Sequence, residues 1–267
     1  MATAGAFGTG LDASSWAQSL AVQKKVSEAE WRIRVDLAAA YRLVAHYGWD
    51  DLIFTHLSAR VPGDAHHFLL NPMGVLFNQV TASSLVKVDQ NGEIVDESPF
   101  SVNPAGFTIH SAVHMARHEV GCVMHLHTTA GMAVSAQERG LLPLTQTAML
   151  VANRLAYHEY EGVALDHSER ERLIQDLGDK DMMILRNHGT LTMGNTVPEA
   201  FVLMHFLERA CQAQVMAQAG GASLHWPTAA AIETTRLQSE AGLAMTGHLA
   251  WPGLLAMLDR LDPGYAT

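Results

Sequence analysis

Apolar residues in "SEAEWRIRVDLAAAYRLVAHYGW" fall at Ile33, Leu37, Ala40, Tyr41 and Val44. That is the 3.6-residue period of a helix burying one face. Ser27 and Glu30 have capping-box spacing at its start, and Gly48 closes it. From Asp51 to Val95 the period shortens to two. "LIFTHLSARV", "HHFLLNP" and "LVKVDQNGEIV" predict short strands, with Asn91-Gly92 as a hairpin turn. "NPAGFTIHSAVHMARHEV" returns to helical spacing, with Asn103 as cap and Pro104 in the first turn. The strand "CVMHLHT", a helix through "TAGMAVSAQERG", a helix starting near Ser168 and the buried strand "MMILRN" follow. Thr196 and Glu199 form a second capping box, opening the long helix "EAFVLMHFLERACQAQVMAQAGG". The tail from Ala222 reads as mostly helical, broken at Trp251-Pro252.

Strands and helices interleave, so the pattern predicts an α/β fold. It divides into a flexible N-terminal arm (1–24), one α/β domain (25–221) and a C-terminal helical extension (222–267). The arm's "GAFGTG" follows no strand and reads as a loose terminus, not a phosphate loop.

Composition narrows the function classes. With 267 residues, 48% hydrophobic and 16% charged, the chain has ordinary globular make-up and length enough for a sizeable core. A net charge of -10 argues against nucleic-acid partners, which need a basic stripe, and against a polybasic membrane anchor. No apolar run has the length of a membrane span, and the first residues lack the basic-then-apolar pattern of a secretory signal. Two cysteines build no disulfide framework, so a cytoplasmic setting is expected. The 15 histidines stand out, because imidazole is both a metal ligand and a proton carrier near neutral pH.

His125 and His127 lie one residue apart in an apolar strand and so project to the same face. His188 ends another strand, where Gly189 allows a tight turn of positive φ. Three imidazoles with an open position suit a divalent transition metal. By spacing alone they equally suit three hydrogen-bonded core histidines. His110 and His114 sit four apart on one helical face, as zincin ligands do, but lack the adjacent glutamate. A solvated or pocket-lining face competes with that reading. Nucleophile-elbow and Walker patterns are absent.

Five segments together resemble the class II aldolase/adducin family. They are "THLSARV", "FLLNPMGVLFNQVTASSLVKVDQNGEIV", "VNPAGFTIHSAVHMARHEVGCVMHLHT", "LPLTQTAMLV" and "LRNHGTLTMGNTVPEAFVLMHFLERACQAQVMA". They run in unbroken order over about residues 31–221 and look closer to the adducin head than to the sugar-phosphate aldolases. The resemblance implies a three-layer α/β/α domain around a central, largely antiparallel or mixed sheet, assembled as a homotetramer with sites near subunit boundaries. It implies metal ligation by His125, His127 and His188, with zinc first and iron or manganese as alternatives. It also points to Asn71, Gly74 and Gln146 as residues facing substrate. Family aldolases carry a ligand and acid/base glutamate where this chain has Gly106, and phosphate-binding serines where it has Pro104 and Ala105. Gln146 falls near a proton-donating tyrosine of some aldolases.

The expected function is therefore a metal-dependent lyase, of decarboxylase or aldolase type, acting on a small oxygenated acid or carbonyl compound. Decarboxylation is weighted above aldol cleavage, since losing carbon dioxide generates the carbanion without a base. His56 and His110 are the candidate proton carriers, and Arg186 or Lys87 the candidate partners of a substrate carboxylate. Two alternatives remain: a non-catalytic module like the adducin head, and an iron-dependent oxygenase on the same fold.

Overall fold

The computed structural model describes residues 13–63, 66–162, 169–240 and 242–267. Helices α1 (Ala13–Lys25) and α2 (Glu28–His46) precede strands β1 (His56–Arg60), β2 (Phe68–Leu70) and β3 (Val86–Val88). Helix α3 (Pro104–Ala116) leads into β4 (Cys122–Leu126), and α4 (Thr129–Ser135) and α5 (Gln146–Val151) into β5 (Leu155–His158). Then come α6 (Glu169–Leu177), β6 (Met182–Leu185), β7 (Gly189–Gly194), α7 (Val197–Gln218), α8 (Ala229–Glu240) and α9 (Leu243–Leu261).

The strands form one mixed sheet in the order β3-β2-β1-β4-β7-β6-β5, in which only β5 and β6 run parallel. Alternation along β4 sorts its side chains between two cores. Cys122, Met124 and Leu126 join Leu57, Ala59 and residues of α2, α7 and α9 on one face. Val123 joins Ile109 and Val113 of α3 and Leu173 and Leu177 of α6 on the other. The result is a three-layer α/β/α arrangement. His125 shares the parity of Val123, so it faces α3 from the central strand. The β1–β4 register sets His56 directly opposite His125. Among the described residues, no helix is long and apolar enough to cross a membrane.

Local chemistry explains where the elements depart from the expected pattern. Ser27 caps α2, its Oγ accepting from Glu30 N at 3.1 Å. The Glu30 carboxylate does not return to Ser27; it is buried between Arg34 (2.9 Å) and Lys87 (3.1 Å), two cations that outcompete a backbone N–H. At α7, Thr196 caps as expected, while Glu199 accepts from Asn195 N, one residue before the box position. Gly48, at φ 67, ends α2 as read. The turn at Asn91-Gly92 is present, but its returning arm is a single bridge, Val88 to Ile94, not a strand. Part of the expected N-terminal arm is helix α1; "GAFGTG" and Ser168 lie outside the described residues.

The expected break at Trp251-Pro252 is not there, because Pro252 sits inside α9. Trp251 is 5% exposed, packs in the α2 core, and donates from Nε1 to Asp36 Oδ1 at 2.8 Å. Burying an indole of roughly 200 Å² at about 25 cal/mol per Å² returns about 5 kcal/mol, against a proline cost of about 3. Packing wins. The same core takes Leu258 and Tyr265, and backbone bonds from Ala82 and Ser83 hold Tyr265 O and Thr267 O at 2.9 and 2.8 Å. The C-terminal helices thus stand on the body of the domain. Trp251→Ala is expected to lower the unfolding free energy by about 3–5 kcal/mol, read from urea denaturation. A loss within experimental scatter would show that α9 is not part of this core.

Candidate metal centre

His125 projects from β4, His127 follows just beyond the strand's end, and His188 sits in the turn joining β6 to β7. Because β4 pairs with β7 through Leu126 and Thr190, the turn folds back over the strand end. The three rings meet with centroids 4.7–4.8 Å apart, each pair inclined by 54–80°. One ligand nitrogen from each lies within 4.8 Å of the others, and no carboxylate joins this group among the described residues.

Hydrogen bonding decides which nitrogens are free. His125 Nδ1 lies 3.1 Å from Thr190 O, and His127 Nδ1 lies 2.9 Å from Asp51 Oδ2. A carbonyl and a carboxylate can only accept, so both Nδ1 atoms carry the proton. Burial, then the neighbouring His188 and His127, holds His125 well below the usual histidine range; burial, then His127, brings His188 down to about 4. Nε2 of His125 and Nε2 of His127 face each other 3.1 Å apart, close enough for a hydrogen bond between them or for both to reach one cation. The donor set of neutral imidazoles fits a divalent transition ion.

The backbone around these rings is strained. Four non-glycine residues among those described have positive φ, and three are Leu52 (53°), Thr55 (64°) and Asn187 (55°). Leu52 lies within the Asp51–Phe54 turn, Thr55 follows it, and Asn187 immediately precedes His188. For β-branched Thr55 the conformation is a genuine outlier. Here the expectation for Gly189 needs correcting, since its φ is not positive and Asn187 makes the left-handed step. Glycine is needed at 189 for closeness: a Cβ would stand 2.5 Å from Leu126 O and 3.1 Å from His127 Cδ2.

A second imidazole group lies on the same face. Ser58 Oγ contacts His110 Nδ1 at 2.7 Å and His114 Nε2 at 2.8 Å. With both rings neutral, the one hydroxyl proton goes to one ring and the other ring donates, so the two tautomers are coupled. His110 and His114 are each 1% exposed, so the helix face is buried, neither solvated nor zincin-like. His56 stacks on His110 with centroids 5.3 Å apart and 16° between planes. Nε2 of His56, Nε2 of His110 and Oγ1 of Thr55 are buried without partners.

Other candidates stand apart from the rings. Asn71 Oδ1 accepts from Tyr41 on the α2 side at 3.0 Å, Gly74 forms a positive-φ turn after β2, and Gln146 begins α5 exposed. None enters the hydrogen bonds or ring contacts of the three-histidine group. Lys87 is taken by Glu30 and Asp96, and Arg186 donates to Gln137 O while lying over the Tyr157 ring. Neither is free for a substrate carboxylate. Asp51 and Ser58 went unread in the sequence, where nothing in a single aspartate or serine marks a partner 76 or 52 residues away.

Comparison with known proteins now settles the family. The model of the "Class II Aldolase and Adducin N-terminal domain" matches residues 35–215. The chain belongs to the class II aldolase and adducin family. A solved aldolase II superfamily protein from Pseudomonas syringae is 50% identical, with TM-score 0.90, covering 92% of this chain and all of that one. An L-fuculose 1-phosphate aldolase from Glaciozyma antarctica is 32% identical, with TM-score 0.78, covering 89% and 92%. Mouse alpha-adducin is 46% identical over 199 residues, which are 73% of this chain but 27% of the adducin.

The buried histidines of this class II aldolase relative make its stability sensitive to acid. Burial, the largest cause in each case, lowers His56 to about 4, His114 to about 3, and His110 well below its ordinary value. The unfolded chain takes up these protons near pH 6.5, whereas the folded chain resists. Stability is therefore full above about pH 6.5 and falls as pH drops toward 4 and 3. The metal-free protein should show a urea midpoint that declines from pH 7 to pH 4.5. In His114→Asn, which leaves Ser58 a polar neighbour, the decline should be shallower. An unchanged slope would remove His114 from the account.

Proposed function

We propose that this protein is a metal-dependent carbon–carbon lyase, of decarboxylase or aldolase type, acting on a small oxygenated acid or carbonyl compound. The convergence of ligand nitrogens from His125, His127 and His188 carries the reading. These three residues would hold a divalent ion, zinc first by ligand type and geometry, with iron or manganese as alternatives. When bound, such an ion supplies Lewis acidity that stabilises the enolate charge developing as the carbon–carbon bond breaks.

The chain's own residues handle protons. His56 stands in register with His125, and its unpartnered Nε2 is a group able to give or take one. His110 stacks on His56 face to face, an arrangement that passes no proton between the rings, so His110 acts through its own free Nε2. Helix α3 has Gly106 where aldolases of the family carry their glutamate, and no carboxylate replaces it among the three ligands. That favours decarboxylation, in which bond cleavage itself generates the carbanion and the protein needs only to return a proton. The likeness to L-fuculose 1-phosphate aldolase supports lyase chemistry, and family membership supports a homo-oligomer, a tetramer by resemblance.

The likeness to alpha-adducin favours a second reading, a non-catalytic interaction module that keeps the imidazoles. Metal analysis of protein purified without a histidine tag or added metal separates the two. The lyase reading expects stoichiometric divalent metal, with His125→Ala losing most of it while the far-ultraviolet circular dichroism persists. Near-absence of metal in the unaltered protein would favour the interaction module, and iron with oxygen-dependent turnover would assign an oxygenase. Full metal retention in His125→Ala would refute the ligand assignment.

A further inference from the structure

The structure assigns Asp51 as the positioning residue of the metal centre, the carboxylate that orients His127 and offsets positive charge that the ligands themselves leave uncompensated. This inference rests on the metal reading proposed above. Three neutral imidazoles bring no negative charge to a divalent ion. Asp51 Oδ2 accepts the Nδ1 proton of His127 at 2.9 Å, which fixes the tautomer, turns Nε2 toward His125 and His188, and draws electron density toward that nitrogen.

The surrounding loop is built to hold that contact. Phe54 N donates to Asp51 O at 2.8 Å, closing a tight turn that contains the left-handed Leu52 and is followed by the left-handed Thr55. Upstream, Trp49 is 5% exposed, stacks on Tyr47 with centroids 5.0 Å apart, and packs against Phe201 of α7. Strain on one side and an aromatic anchor on the other leave the loop few alternative positions. A casual surface His–Asp pair needs neither.

The test compares the unaltered full chain with Asp51→Ala, Asp51→Asn and His125→Ala, each stripped of metal and checked for fold by circular dichroism. Zn²⁺ alone is titrated against a chromophoric chelator at fixed pH, and Co²⁺ alone reports ligand geometry through its visible absorption. Asp51→Ala should bind Zn²⁺ about 10–100-fold more weakly, with a shifted Co²⁺ band. Asp51→Asn should lose less, because an amide oxygen still accepts the Nδ1 proton but carries no charge. Should Asp51→Ala fail to fold, Asp51→Asn carries the comparison. If both bind within about twofold of the unaltered chain with the same Co²⁺ band, while His125→Ala loses binding, the assignment of Asp51 is wrong and the metal reading stands. If His125→Ala binds as tightly as the unaltered chain, the metal reading fails and this inference falls with it.

Discussion

Nε2 of His125 and Nε2 of His127 face each other across 3.1 Å, and contacts behind each ring hold them there. His125 is gripped by the Thr190 carbonyl and His127 by the Asp51 carboxylate. The first grip belongs to the β4–β7 pairing. The second depends on a strained loop between α2 and β1. Regular sheet and irregular loop therefore serve one constraint, the convergence of three imidazoles.

The central sheet isolates this arrangement from the apolar cores. On the face toward α2, α7 and α9, β4 and β1 present apolar side chains, and the polar groups that the helices bring there, such as Tyr41 and Trp251, are hydrogen-bonded. On the face toward α3, the same strands carry His125, His56 and Ser58, and α3 answers with His110 and His114. A buried polar band of this kind is costly unless its members remain neutral. Their depressed proton affinities meet that condition. Burial thus keeps these imidazoles uncharged, which is also the state that a metal ligand requires.

This member of the class II aldolase and adducin family gathers three imidazoles with no carboxylate among them, and Asp51 reaches the group through His127. On the proposed lyase reading, a centre so composed favours chemistry that begins with bond cleavage over chemistry that begins with proton removal.

Most of the helices and strands and the candidate ligands were legible from periodicity and residue type, since both are local properties; α1 and α5 were not. The 3.6 period of α2, the cap at Ser27 and the shared face of His125 and His127 all follow from covalent spacing. His188 was read from its place at a strand end, and the resemblance supplied the layers. Tertiary structure alone decided the remainder. It put Pro252 inside a helix because Trp251 found a core to fill, sent Glu30 to buried cations instead of its cap, and showed that Gly189 is there for closeness and not for its φ. It joined Asp51 to His127 and Ser58 to two histidines of α3. The reason is the same throughout: a hydrogen bond or packing contact between residues distant in the chain depends on where the backbone passes in space, and no local pattern encodes that.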